Sequence, residues 1–303
     1  GFQLFVRGSA DFHWKPFYEN FEQLIRISKR DPALKRMLIP TRRSIGMQGL
    51  VFNQHKNIWQ NPVMRQALSF AFDFDRLNRR LFNQQYTRLE SLFTHTPYAS
   101  PIKQDFPYDL DRADSLLSSQ GWISENDRRI HQQTKQVLSV KILVNSIQNE
   151  KIVNIYAKNL QQLGIKTSIR RFDAADYVYQ LQSRDFDLAY FYLPIVQTLP
   201  SDFVRDLLES YVKPYSFGQL FGTRDPLISA SITKLNESLD APYKLKTIQK
   251  IDYAMMQSHA IIPFWHPSFD RLAYWQSIDG PIIPMQCRPR DNFRYWWSAA
   301  SQS

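Results

Sequence analysis

The sequence predicts an α/β protein, and three observations carry the prediction. Between Leu138 and Leu193, strand-like and helix-like segments alternate, while the stretches on either side read as short strands broken by glycine and proline. The 303 residues are 43 % apolar and 22 % charged, the balance of a chain that buries a core. No run approaches the ~18 consecutive apolar residues of a membrane-spanning helix.

The middle segment justifies the class element by element. LSVKILVN (138–145) alternates apolar and polar residues and is rich in branched side chains, as a half-buried strand is. NEKIVNIYAKNLQQLG (149–164) sets Ile152, Ile155, Tyr156, Leu160 and Leu163 at helical spacing, and Gly164 supplies the stop. IKTSIRR (165–171) alternates again, Asp173 caps a short helix carrying Tyr177, Val178 and Leu181, and DFDLAYFYL (185–193) returns as a strand. Strands joined through helices run parallel with right-handed crossovers, and ligands bind beyond their carboxyl ends. The end of the third strand, around Tyr190 to Pro200, is therefore the expected site. Rings and polar tips crowd there: Tyr190, Tyr192, Tyr215, Gln197, Ser201, Ser216 and Gln219 form the candidate ligand wall.

SIGMQGLVFNQ (44–54) reads as a glycine-punctuated turn into a strand, and the segments IIPFWHPSF, RLAYW and PIIPM as proline-rich strands. The two ends of the chain are expected to pair with each other and the middle to form a second lobe. NPVMRQALSFAFDFDRLNRRLF (61–82) starts as a helix, with Asn61 as cap and Pro62 at the first helical position, yet it carries no catalytic group.

The formal net charge is +10, but the basic doublets Arg42-Arg43, Arg79-Arg80, Arg128-Arg129 and Arg170-Arg171 are scattered among carboxylates. No arm or block suited to nucleic acid results. Cys287 is alone, so an internal disulfide is excluded. HExxH, GxSxG, the P-loop and GxGxxG are all absent, and six dispersed histidines make no metal-ligand pattern. Of the carboxylate pairs Asp73/Asp75 and Asp185/Asp187, Asp75 stands four residues before Arg79, the spacing of a surface ion pair, and Asp185 and Asp187 flank a strand entry as caps and turns do; both pairs read as structural. The expectation is a non-enzymatic binding protein with no cofactor and no metal.

LVFNQHKNIWQNPVMRQALSFAFDFDRLNRRLF resembles the signature of the extracellular solute-binding proteins of the peptide/nickel family: an aromatic-Asn strand end at Phe52-Asn53, a loop, then Met64-Arg65-Gln66-Ala67-Leu68 with Ala71 and Asp73 following. FDFDRLNRRLFNQQYTRLESLFTHTPYAS, NLQQLGIKTSIRRFDAADY, FGTRDPLI and RGSADFHW resemble its YejA-type branch. The resemblance implies a two-lobed, type II periplasmic-binding-protein-like fold. The chain would be a fragment lacking the N-terminal part of the first lobe, with 1–52 and 268–303 its remnant and 53–267 the second lobe. Asn53, Arg65 and Asp73 would anchor the hinge. The implied function is capture of a peptide or peptide-like ligand between the lobes by hinge closure and its delivery to an ABC transporter permease. The expected setting is the periplasm, as a monomer without membrane insertion or nucleic-acid partner, with a signal peptide upstream. The alternative is the ligand-sensing domain of a transcriptional regulator with a DNA-binding segment upstream. Many peptide-binding relatives hold the peptide's amino terminus with an Asp just past the third strand, where this chain has Leu193-Pro194-Ile195.

Overall fold

The computed structural model describes residues 2–14, 18–40, 46–193, 221–222, 226–237, 239–279 and 297–298. Gln197, Ser201, Tyr215, Ser216, Gln219 and Cys287 lie outside these residues. The chain opens with α1 (Phe2–Val6), β1 (Phe12–Trp14), α2 (Tyr18–Ser28), β2 (Leu34–Pro40) and β3 (Met47–Phe52). Helices α3 (Asn57–Gln60), α4 (Pro62–Phe70) and α5 (Phe74–Phe82) precede β4 (Tyr86–Arg88) and α6 (Leu110–Ser119). A hairpin of β5 (Trp122–Glu125) and β6 (Arg128–His131) leads into β7 (Ser139–Val144), α7 (Ile147–Gln162), β8 (Lys166–Arg171), α8 (Ala174–Ser183) and β9 (Leu188–Leu193). Helices α9 (Pro226–Glu237) and α10 (Ala241–Gln257) are followed by β10 (Ile261–Pro263), β11 (Trp265–Pro267), β12 (Phe269–Trp275), β13 (Ile278–Asp279) and β14 (Trp297–Ser298).

Two compact units result, one of residues 1–43, 82–87 and 266–303, the other of 44–81 and 88–265. In the first, β12 lies between β1 and β2, antiparallel to both, so the two ends of the chain do pair. Residues 82–87 belong to this unit through side-chain bonds: Arg271 Nε donates to Gln85 Oε1 at 2.9 Å, and the hydroxyls of Thr87 and Ser268 meet at 2.7 Å. Its buried apolar centre is small: Phe5, Leu24, Leu34 and Ala273.

The second unit holds a five-stranded sheet in the order β10-β3-β9-β7-β8. β7 is parallel to β8 and β9, as β-α-β-α-β connectivity requires, while β3 runs antiparallel to β9 and β10 antiparallel to β3. One face packs Met47, Val51, Leu143, Ala189 and Ile261 against Ile228, Ile232, Ile248 and Ile251 of α9 and α10. Across from it, Tyr156 of α7 donates to the Leu68 carbonyl at 2.8 Å and Asn159 to that of Ala71 at 2.9 Å, pinning α7 on α4.

The expected lobe boundary at Phe52 differs from the compact one. β3 is buried along nearly its whole length and takes the inner position between β9 and β10, so it joins the middle unit rather than the chain ends. The 61–82 stretch is two helices, not one. Asp73 accepts from the Arg76 N–H at 2.8 Å, starting α5 anew after α4 has ended at Ala71. Asn61, Asp173 and Gly164 act as their sequence suggests: the first two accept first-turn N–H groups, and Gly164 takes φ +74° behind α7.

Gly49 admits β10 at close range. A Cβ there would lie 2.3 Å from the Ile262 carbonyl oxygen, a backbone atom that cannot step aside without moving the strand. Gly49→Ala is accordingly expected to cost about 1–3 kcal/mol, the usual penalty of overpacking, read as a lower midpoint in urea unfolding at unchanged slope.

Candidate ligand site

The carboxyl ends of β7 and β9 and the amino end of β3 converge, because β3 runs antiparallel to β9 and pairs Gln48 with Tyr192. Around that point the structure gathers Gln48, Asn145, Asn149, Tyr177, Tyr190 and Tyr192. Alternation along β9 sends Tyr190 and Tyr192 to the same side; Tyr190 is half-buried, and Tyr192 is 53 % exposed. The Tyr190 hydroxyl donates to Gln48 Oε1 at 3.2 Å, and Gln48 Nε2 donates onward to the Trp265 carbonyl at 2.6 Å. The Tyr190 ring leans on Phe264, centroids 6.0 Å apart. Burial pushes the Tyr190 phenol up, opposed by a hydrogen bond with Asn149, so its proton stays in place for donation.

Two further residues fix the surroundings. Tyr177 on α8 donates its hydroxyl to the Tyr190 carbonyl, and burial holds that phenol well above its ordinary range. At the start of α7 the Ser146 hydroxyl accepts from the Asn149 N–H at 3.1 Å, while Asn149 Nδ2 donates to Asn145 Oδ1 at 2.9 Å. Nearby charges neutralise each other, Arg171 Nε meeting Glu150 Oε2 at 2.7 Å. The gathered amides, phenols and exposed ring are therefore uncharged. They can exchange hydrogen bonds with amide or carbonyl groups and offer one flat apolar face.

Of the expected wall, Tyr190 and Tyr192 are brought together here, and the other five members lie outside the described residues. Gln48, Asn145, Asn149 and Tyr177 were not anticipated. Gln48 gives no sign in sequence, since only the antiparallel register brings it beside Tyr192.

The three residues expected at the hinge make bonds inside the second unit. Asn53 is fully buried and donates to the carbonyls of Arg184 and Phe186, at 2.8 and 2.9 Å. Arg65, 5 % exposed, donates Nε and Nη2 to the Ser258 carbonyl and Nη1 to those of Trp59 and Gln60, between 2.7 and 3.0 Å. Asp73 is the cap already described. Among the described residues no group of three or more His, Cys, Asp or Glu could hold a metal ion, and no helix is long and apolar enough to cross a membrane.

Comparison with known proteins places this geometry. Residues 2–213 match the model of the bacterial extracellular solute-binding proteins, family 5. Among curated proteins, the uncharacterized protein YejA of Escherichia coli is 27 % identical over 285 residues, 82 % of this chain and 46 % of its own length. The probable peptide-binding protein YejA of Agrobacterium fabrum is 25 % identical over 322 residues, 92 % of this chain and 52 % of its own length. The peptidoglycan-binding protein YepA of the same organism is 25 % identical over 340 residues, 98 % and 52 % of the two chains. The chain thus spans about half the length of these relatives. Among solved structures, the oligopeptide-binding protein AppA of Bacillus subtilis, in complex with a nonapeptide, superposes with a TM-score of 0.76 at 15 % identity, covering 98 % of this chain and 58 % of its own. NikA of Brucella suis, in complex with Fe(III)-EDTA, gives 0.75 at 17 % identity, covering 93 % and 57 %. These likenesses show the fold, that of type II periplasmic binding proteins. The match over residues 2–213 settles the family: the chain belongs to the bacterial extracellular solute-binding proteins, family 5, which are binding proteins rather than enzymes, and it is similar to the YejA proteins among them.

Proposed function

We propose that this chain is part of the substrate-binding component of an ABC importer, one that captures peptides or peptide-like ligands and delivers them to a membrane permease. The carrying observation is the uncharged cluster of Gln48, Tyr190 and Tyr192 at the carboxyl end of the parallel strands, in a chain of this family. A peptide backbone offers amide donors and acceptors at every residue, which the phenol and amides match without selecting a side chain. The relatives named peptide-binding and peptidoglycan-binding support ligands that contain peptide bonds. In this reading the second unit forms the second lobe, Asn53, Arg65 and Asp73 brace the chain near the crossover, and the ligand favours the closed state by touching both lobes. The family's extracellular description supports a periplasmic receptor over a cytoplasmic sensor.

The test is titration calorimetry of the full-length protein with synthetic tri- to nonapeptides and, separately, soluble peptidoglycan fragments. Tyr192→Ala is expected to weaken the bound class about tenfold, the worth of one lost aromatic contact. Gln48→Ala and Tyr190→Phe are expected to weaken it several-fold by breaking one shared hydrogen bond. The same loss is expected for alanine at Gln197, Ser201 or Ser216. If all six variants bind both ligand classes as the parent does, this end of the sheet is not the site.

A further inference from the structure

A cavity of about 610 Å³ in the same unit lies between the start of α5, the end of β4 and residues 104–108, apart from the site described above. Arg88 lines it together with Asp73, Asp75, Glu90, Asp105 and Tyr108. The Arg88 guanidinium rests over three rings, 4.8 Å from the centroid of Phe72, 5.5 Å from Phe74 and 5.7 Å from Phe106. Its Nε and Nη2 are buried and have no hydrogen-bond partner among the described residues. Those two atoms form the side edge of a guanidinium, whose parallel N–H groups fit the two oxygens of a carboxylate. Burial pushes the Arg88 pKa down to about 9, with Asp75 and Asp105 opposing through space but making no hydrogen bond to it. A buried fork left open in this way costs free energy that an incoming acceptor would recover.

Apart from Arg79, the other charged groups of the wall are carboxylates. Glu90 is occupied by Lys103 at 2.6 Å, which leaves Asp73, Asp75 and Asp105 to face the space. One unanswered cationic edge and several carboxylates in a single cavity match a ligand carrying both signs. We propose that this cavity binds a small zwitterion of the α-amino-acid class, its carboxylate on the Arg88 fork, its ammonium among Asp73, Asp75 and Asp105, and its side chain against Tyr108 and Phe106. The volume suits a ligand of that size. The cavity is partly open to solvent, and residues 103–109, which carry Asp105, Phe106 and Tyr108 and lie outside helix and strand, form one side of it. The inference does not rest on the peptide site.

The experiment is calorimetric titration of the chain with L-phenylalanine, 3-phenylpropionate and 2-phenylethylamine, which separate the zwitterion from each charge alone. L-Phenylalanine is expected to bind saturably and both analogues at least tenfold more weakly. Arg88→Met and Asp105→Asn are each expected to weaken L-phenylalanine at least tenfold, while peptide binding persists. Arg88→Met removes an unpaired buried ion in favour of a similar apolar shape, a change that is neutral or stabilising, so it is a fair test of binding. Asp105→Asn keeps the shape and serves if the first variant misfolds. No saturable binding of L-phenylalanine, equal binding by both variants, or equal affinity for a singly charged analogue overturns the proposal and leaves Arg88 a structural cation only.

Discussion

Replacing Asp187 by alanine is expected to lower the unfolding free energy by about 2–4 kcal/mol, the cost of leaving a buried indole N–H and a backbone N–H without their acceptor. The carboxylate is nearly buried and fully used. Oδ1 accepts from Lys56 Nζ at 2.8 Å and from Trp59 Nε1 at 2.9 Å, and Oδ2 accepts from the Lys141 N–H at 2.7 Å. The backbone of Asp187 also exchanges bonds with Lys141 and Asn53, each at 2.9 Å. One side chain thus ties the entry of β9 to β7 and to α3 with the residue that precedes it. Alanine strands a buried indole N–H, a backbone N–H and an ammonium together. Asp187→Asn keeps acceptor geometry at one oxygen and should cost less. The double variant Asp187→Ala/Lys56→Met should recover part of the loss, because the uncompensated cation is gone. Urea unfolding of the four proteins checks the ordering; a loss under 1 kcal/mol for alanine would show that water replaces the carboxylate.

Acid should destabilise the protein through His259, by about 3 kcal/mol between neutral pH and pH 4. This imidazole sits 3 % exposed between the rings of Phe70 and Phe106, with centroids 6.1 and 5.3 Å away, and its Nδ1 has no partner among the described residues. Burial first, then the charges of Arg65 and Arg112, pushes its pKa down from 6.5 to about 4. Between those values the unfolded chain holds a proton that the folded chain refuses. The stabilisation is complete above about pH 6.5 and is lost as the pH falls towards about 4. His259 has φ +50°, so asparagine, which tolerates that region, is the suitable replacement. His259→Asn should be less stable than the parent at pH 7, through lost ring contact, yet show a shallower decline to pH 4. Parallel declines would mean that other groups carry the acid sensitivity.

The segment from β7 to β9 was legible almost residue by residue, because each element there announces itself locally. Branched alternation marks the strands, 3.6-residue spacing marks α7, and Asp173 and Gly164 mark ends, while the Ser146 cap of α7 was not read. Arg65 was legible only through the family resemblance, and its four donated bonds are a consequence of the fold. The break at Ala71–Asp73 was hidden by an aromatic run, Phe70, Phe72 and Phe74, that continues the apolar pattern across it. The place of β3 was not legible either. Periodicity reports whether a strand is buried, not which neighbour it takes, and burial on both faces is what put β3 inside the sheet. The same limit hid Gln48 from the candidate site. Asn145 and Asn149 were passed over because polar residues at a helix start read as caps. The Arg88 cavity depends on rings and carboxylates from three separate stretches, a juxtaposition no spacing rule expresses.

The pairing of β1 and β2 with β12 has a bearing on how the chain is made. Phe12 aligns with Tyr274 and Leu34 with Trp275, so β1 and β2 have no partner in their sheet until β12, far along the chain, has been synthesised. The β7–β9 segment, whose contacts are short-range, can assemble long before that. During synthesis the β7–β9 centre can therefore be folded while β1 and β2 still await their partner. That order makes β1 and β2 the strands most dependent on chaperone protection.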